Sequence, residues 1–597
     1  MGEVLIFDIE TDGFLLQATQ IFVLAIKNID ESDVDVYTGN DIKHGISRLQ
    51  KADKIIAHNG LLFDIPCIKR LYGIDLGFKT VVDTILISRL MLPDRDGGHS
   101  LDAWGKRLGF HKGDFKDFSK LTDEMIEYCK QDVRVTERLY KKLRIDAEEY
   151  MPKIVPAIQL EHEFAYIISK QILTGFQLNV DKVTKLYHEL QEEAEALHNT
   201  LQNIMPKVPD LSFLTRLKKE NIITLTETSC TYIQDKTRKI VTKEIKFDYP
   251  NPTSRQQIVK FLKDEYHWVP QEFTEKGSPK IDEKILNALT YPVATMFARL
   301  FRLQKQMGMI KSDDGGWLNY VNKETNRVHG NVLTNATNTG RCSHSSPNLA
   351  QVDKKDIRMR EVWEAADGYK LVGVDAASLE LRVLSHYLAP FDHGVLAHEV
   401  TNGDVHTHNK ELMGLQDRNS AKTAIYALIY GAGNQKLGTI FATDQQSKTR
   451  DELELKKMGS VLRSRVEENF LGYKTLCDTV QKALAARGYL VGLDGRPLHP
   501  RSDYSALNLL IQSAGAIIMK KALVNFYNSA ILKYKEGIDF KLVANVHDEA
   551  QMESLPDIAE DLKDLFVQSI RQVTKDFELK CSLDGEGRVG SNWAETH

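Results

Sequence analysis

Two aspartates far apart in the chain, Asp375 and Asp548, stand where apolar runs end. Asp375 closes Lys370-Leu371-Val372-Gly373-Val374, which reads as a buried strand; a helical pattern follows, with Leu379, Val383 and His386-Tyr387 three or four apart. Asp548 follows another strand-like run, 540–545, within Val546-His547-Asp548-Glu549-Ala550-Gln551, which places it at a tight hairpin tip. A carboxylate at the open end of a buried strand is desolvated unless a cation meets it, and hard oxygen ligands suit a divalent metal. Two such acids on adjacent strands would hold a metal pair fit for in-line phosphoryl transfer. Either acid alone fits a helix cap or a turn as well.

A second group of acids lies in the first 150 residues. Glu3-Val4-Leu5-Ile6-Phe7-Asp8-Ile9-Glu10 alternates faces as a strand, so Asp8 and Glu10 project to one side. Like charges so placed repel unless a cation lies between them. Ile55-Ile56-Ala57-His58-Asn59-Gly60-Leu61-Leu62-Phe63-Asp64 is a strand feeding a helix with Asp64 in its first turns, and Tyr128 and Asp132 share one face of the helical segment 122–143.

Between Asp375 and Asp548, Arg418, Lys422, Tyr426 and Tyr430 recur at steps of four in the helical segment 416–431. Such a stripe presents two cations and then two flat rings, which suits a triphosphate followed by a base. His406, after Asn402-Gly403-Asp404, could reach the same phosphates. The loop 339–351 is dense in donors without a helix period, which suits a duplex minor groove or backbone. In the Lys-rich stretch of about 181–310, Lys236, Arg238, Lys239, Lys243 and Lys246 alternate with Ile240, Val241 and Ile245, as in an exposed hairpin able to touch phosphates. Asn251-Pro252-Thr253-Ser254 is a helix start.

Elements enough to position these groups need more than one core: 597 residues imply two to four domains. Net charge is −5, which does not exclude a nucleic-acid partner, because a basic groove coexists with metal-binding acids. The six cysteines are scattered singly, which suits a reducing compartment and gives no zinc pattern. No secretory leader and no apolar window of spanning length is read, so a cytoplasmic protein is expected.

The four acids and the tyrosine of residues 1–150 resemble DEDD-type 3′-5′ exonucleases of the tyrosine variant. Asp375 with Leu379-Glu380-Leu381-Arg382, the Arg-x-x-x-Lys-x-x-x-Tyr-x-x-x-Tyr-Gly helix and His547-Asp548-Glu549 resemble the three polymerase motifs of family A DNA polymerases. Residues 339–351, Asp494-Gly495-Arg496 and Gln512-Ser513-Ala514-Gly515-Ala516 resemble that family's flanking segments, most closely in the replicative enzymes of T-odd phages.

The resemblance implies a multi-domain α/β chain: an RNase H-like 3′-5′ exonuclease domain at 1–150 and a right-hand polymerase at 151–597. Within the latter, connector and thumb take about 151–320, palm about 321–400 and 490–597, and fingers about 401–489. It implies a DNA-directed DNA polymerase with proofreading, replicating phage DNA in the host cytoplasm. Asp375, Ala376 and Asp548 would hold two magnesium ions, with manganese as a substitute, and Glu549 would support them. Arg418, Lys422 and His406 would bind phosphates, with Lys422 as general acid. Tyr426 would pack on the incoming nucleotide, Tyr430 would lie near the templating base, and Glu380 would crowd the sugar C2′. Arg341, Arg496, Gln512 and His547 would touch the primer terminus. Asp8, Glu10, Asp64 and Asp132 would hold a second metal pair, with Tyr128 orienting water. Primer-template DNA and dNTPs are the implied partners, and a helicase-primase is compatible with them. The room between the first thumb helix and Asn251, about 210–248, argues against the thioredoxin clamp of some relatives. Glu380 and the exonuclease motifs argue against a single-subunit RNA polymerase or reverse transcriptase, and the complete set of acids argues against a catalytically silent DNA-binding scaffold.

Overall fold

The structure, a computed structural model, describes every residue except 1, 79, 210–220, 227, 235–237, 271, 275, 314, 448 and 450. Two compact units are formed: residues 1–179 together with 320–597, and residues 180–319.

The first unit opens with a five-stranded sheet in the order Asp35–Thr38, Ile21–Asn28, Val4–Thr11, Lys54–Ala57, Val81–Asp83. Val4–Thr11 lies at its centre, antiparallel to Ile21–Asn28 and parallel to Lys54–Ala57. Both faces of this strand are buried. Leu5, Phe7 and Ile9 join one apolar cluster, while Ile6 packs with Met125, Cys129 and Val133 of the helix Asp123–Ala147. The period of two therefore turns Asp8 and Glu10 toward the face that this helix covers.

The helix Val155–Thr174 starts with Pro156 in its first turn, where proline's missing N–H costs nothing. Its Leu160, Phe164, Ile167 and Ile168 belong to one core that contains both Leu61 and Ile65 of the N-terminal sheet region and Ala522, Phe526 and Phe540 further on. Gly175, at φ 67°, then turns the chain into the short strand Phe176–Leu178, which pairs with Arg327–Val328 and Trp363–Glu364.

A four-stranded antiparallel sheet follows in the order Phe540–Val546, Glu549–Ser554, Lys370–Ala376, Gly585–Gly590. The helices Ala506–Ala530 and Ala559–Asp576 pack with it through Phe526, Phe566 and Ile570. Residues 503–530 are long and apolar enough by composition to cross a membrane, but the stretch carries Lys520 and Lys521, and 72% of its apolar window is buried inside the protein. Among the described residues, six helices between Val395 and Arg487 form the intervening segment. Among them Asn434–Asp444 and Glu452–Asn469 approach so closely that a Cβ on Gly438 would lie 1.7 Å from the Leu455 carbonyl oxygen, which only glycine permits.

In the second unit the helices Val180–Ile204 and Pro292–Ile310 are joined by a bidentate Arg299–Glu193 pair. The sequence-predicted hairpin is present as Ser229–Ile233 against Ile240–Glu244, with Ile222–Leu225 added as a third strand. Lys236 of its basic cluster lies outside the described residues. Ser254 caps the helix Arg255–Tyr266 by accepting from the Gln257 amide.

Candidate active sites

The two groups of acids are each assembled from separate elements. Asp8 sits on the central strand. Asp64 stands in the first turn of the helix Asp64–Tyr72 and its Oδ1 accepts from the Ile9 amide at 3.2 Å, the backbone between Asp8 and Glu10. That helix is aimed by a buried carboxylate upstream of it in space: Asp83 accepts from the amides of Asn59 at 2.9 Å and Leu61 at 3.0 Å, which shapes the loop leading to Asp64. Asn59 adopts φ 70° there, a conformation asparagine tolerates better than most. Asp132, 3% exposed, comes from Asp123–Ala147, one turn beyond Tyr128. Asp8, Glu10, Asp64, Tyr128 and Asp132 all line one cleft of about 260 Å³.

Electrostatics in this cleft are dominated by burial and mutual repulsion. Burial, then Asp64, Asp132 and Glu10, hold the Asp8 carboxyl far above the usual range. Burial, then Asp132, pushes Glu10 up to about 8, and burial, then Asp83, pushes Asp64 up to about 7. Lys112 opposes this: its ammonium bonds Asp132 and lies 4.5 Å from the centre of the Tyr128 ring. The Cys129 thiol approaches Asp8 Oδ2 at 3.7 Å, and Asp8, Glu10 and Cys129 offer ligand atoms close enough to share one ion. Lys112, Cys129 and Asp83 were missed by sequence reasoning, because Lys112 lies in an irregular stretch and the other two look like core and cap.

The second centre lies at the end of the four-stranded sheet. Asp375 faces Glu549 in register, and the hairpin tip His547-Asp548 is held back over it by a bond from the Ala376 amide to the Asp548 carbonyl at 3.0 Å. His547 takes φ 55°, which a two-residue hairpin loop demands, and Ser378 takes φ 50° where the strand turns into the helix Leu379–Asp392. Burial, then Asp548 and Glu549, push Asp375 up to about 8; burial, then Glu380, raise Asp548. Glu549 behaves differently. Burial would raise it, but His597, Arg360 and Trp593 outweigh burial and hold it low. It is 4% exposed, with its oxygens bonded by the Gln551 amide at 2.7 Å, His597 Nδ1 at 2.9 Å and the Trp593 indole.

The helix Arg418–Ile429 carries the stripe, with Tyr430 as its C-cap. Lys422 is exposed, Tyr426 half-buried, and the His406 ring lies 6.5 Å from that of Tyr426. Arg418 makes a bidentate pair with Asp404, which also caps the helix Val405–Met413 through the amides of His406 and Thr407. The Tyr430 hydroxyl donates to Glu380 at 2.9 Å, and Arg341 lies 3.6 Å from the same carboxylate. Gln512 donates to Asn508 at 2.6 Å. Arg496, expected at the primer terminus, is 2% exposed and bound by Asp494 at 2.6 Å and Glu161 at 2.8 Å. The reason is Glu161 on Val155–Thr174, fully buried, which also holds Lys520 at 2.8 Å. A Cβ on Gly340 would lie 2.4 Å from Arg496 Nη1, so this buried pair underlies the backbone that carries Arg341.

An RNase H-like sheet domain and a palm sheet with paired aspartates define a polymerase with an appended nuclease-type domain. The family model described as DNA polymerase family A matches residues 219–595, and that of the RNase H superfamily matches 5–144. The chain belongs to DNA polymerase family A and is a DNA-directed DNA polymerase. It is 29% identical over 722 aligned positions to the DNA-directed DNA polymerase of Enterobacteria phage T3, covering 99% of this chain and 100% of that one. The same values hold for the enzyme of Escherichia phage T7. DNA polymerase I of Aquifex aeolicus is 25% identical over 99% of this chain and 96% of its own. The POL domain of Pol1 from M. smegmatis, solved in complex with DNA primer-template and dNTP, superposes at a TM-score of 0.77 with 16% identity, covering 100% of this chain and 96% of that one; the fold is shared.

Proposed function

We propose that the chain adds deoxynucleoside monophosphates to a primer 3′ end on a DNA template, and trims the same end at a separate 3′-5′ exonuclease site. The observation that carries the reading is the pair of buried, self-repelling carboxylate groups, Asp375 with Asp548 and Asp8 with Glu10, Asp64 and Asp132. Each group is comfortably ionised only with positive charge among its members. The donors are hard oxygens, Cys129 apart, and fit magnesium, with manganese as a substitute. Magnesium bound there would neutralise phosphoryl charge and acidify the attacking hydroxyl or water.

The remaining work falls to side chains. Lys422, Arg418 and His406 hold the triphosphate, and Lys422 hands a proton to the leaving pyrophosphate. Tyr426 flanks the nucleotide. Tyr430, fixed by Glu380, lies by the templating base, while Glu380 crowds a ribose 2′-hydroxyl. Arg341, Gln512 and His547 meet minor-groove acceptors at the primer terminus, and Arg496 supports the Arg341 loop from below. Tyr128 orients water in the exonuclease cleft, with Lys112 offsetting the acids. Full-length similarity to the T3 and T7 enzymes supports a replicative role on phage DNA in the host cytoplasm. A labelled primer-template with Mg²⁺ tests both halves: it lengthens with four dNTPs and shortens without them. Neither change, with Mg²⁺ or Mn²⁺, would refute the reading.

A further inference from the structure

The cleft that holds Asp8 and Asp132 continues past the acids into a second half of about 320 Å³, walled by Ile85, Arg89, Ser100, Leu101 and Leu333. Three polar atoms of its lining lack partners among the described residues: Asp132 Oδ1, which belongs to the acid cluster, and one atom on each of two further groups. Arg89, on the helix Thr84–Met91, has its Nη1 buried with no hydrogen bond among the described residues. Asp83 is the carboxylate within its electrostatic reach, but that group is taken up by the amides of Asn59, Leu61 and Ile85. His58 is the other. The Thr84 hydroxyl donates to the Ala57 carbonyl at 3.1 Å and so accepts from His58 Nδ1–H at 2.9 Å. His58 Nε2 is then a bare acceptor, buried and unpaired.

A guanidinium nitrogen buried without a hydrogen-bond partner is costly, and an anionic ligand in the adjoining cleft would supply one. Glu10, Asp64 and Tyr128 line the opposite half, and Lys112 lines both. In a strand shortened from its 3′ end, the departing nucleotide carries only the phosphate under attack, whereas the retained chain carries one per residue. The half with the unpaired cation and the apolar wall of Ile85, Leu101 and Leu333 therefore suits the retained side: phosphate on Arg89, sugar and base on the wall.

We propose that Arg89 binds the phosphodiester one linkage to the retained side of the bond cut, so that the site favours a strand end over a single nucleotide ester. The proposal rests on the exonuclease reading above and adds to it a residue through which substrate length is sensed.

The test uses full-length protein, Arg89→Gln and Arg89→Lys, with Mg²⁺. Each is assayed on a thymidylate oligonucleotide of about eight residues and on the p-nitrophenyl ester of thymidine 5′-monophosphate, with primer extension reporting an intact fold. Arg89→Gln should lower the ratio of oligonucleotide to mononucleotide kcat/KM on the order of tenfold to a hundredfold, through KM, with partial recovery in Arg89→Lys. The salt dependence of log KM on the oligonucleotide should weaken by about 0.7, the value of one phosphate contact on a single strand. An unchanged ratio in Arg89→Gln, whether both activities persist or fall together, would overturn the proposal. A parent enzyme that extends primers but cleaves neither substrate would refute the exonuclease reading itself, and this inference with it.

Discussion

The amide of Ala376 donates to the carbonyl of Asp548 at 3.0 Å, tying the end of one palm strand to the tip of a hairpin more than 170 residues later. This bond and the Asp375–Glu549 register bring two aspartates to one end of the sheet, where Asp548 adds to burial in raising the Asp375 pKa.

The two acid centres are built from different elements, so they should fail separately. Asp548→Asn should reduce primer extension by at least on the order of a thousandfold while sparing 3′-5′ trimming. Asp8→Ala with Glu10→Ala should do the reverse. A gel of labelled primer with and without dNTPs reads both, and joint loss in either variant would contradict the separation.

Stability without metal should depend on pH in a defined direction. Asp375 and Glu10 are held at about 8 and Asp64 at about 7, whereas unfolded carboxyls titrate near ~4. A carboxyl whose folded pKa is raised costs nothing below its unfolded value; the cost grows as pH rises and is complete above the folded value. In EDTA, Tm should therefore fall between about pH 5 and pH 8, and Mg²⁺ should restore more at pH 8 than at pH 5. A flat EDTA profile by calorimetry would be the opposite result.

Glu380 accepts from Tyr430 and lies beside Arg341, so its position is held from two sides. Glu380→Ala should raise ribonucleotide incorporation on the order of tenfold or more relative to dNTPs, because the side chain proposed to crowd the sugar is removed. Glu380→Gln, equal in size, should keep most of the discrimination. Competition between rNTP and dNTP on one template measures it.

Glu161 is the carboxylate shared by Arg496 and Lys520 in a fully buried site. Glu161→Leu leaves two buried cations with Asp494 as their remaining anion, and should cost about 3–5 kcal/mol of stability. Because Arg496 underlies the Gly340–Arg341 backbone, extension from a matched primer should also weaken below the melting transition. Urea unfolding with extension kinetics checks both.

Tyr426 presents a half-buried phenol on the helix Arg418–Ile429, with burial and then Glu380 pushing its pKa up to about 12. It is therefore a neutral hydroxyl at working pH. Tyr426→Phe should reduce dideoxynucleotide incorporation relative to dNTPs, read from chain-termination ladders; unchanged ladders would remove Tyr426 from that role.

Much of the candidate sites was legible locally. Asp8 and Glu10 alternate on a strand, Tyr128 and Asp132 sit a helical turn apart, and Arg418 to Tyr430 step by four. Such periods are set by backbone geometry within one element, so they survive without any knowledge of neighbours. Groups that act across elements were not legible. Lys112 looks like any loop lysine until its ammonium meets Asp132. Arg496 reads as a primer-terminus contact because nothing near it in the chain announces Glu161, 335 residues away.

By itself, then, the order of residues determined which side chains share a strand face or a helix stripe, and through its motifs which family the chain resembles. The tertiary structure alone decided that the acids converge, that Glu549 is turned into bonds with Trp593, Gln551 and His597, and that Arg496 is sealed beneath the Arg341 loop. The reason is physical: periodicity is a property of a segment, whereas desolvation and Coulomb energy depend on what the rest of the fold packs against it.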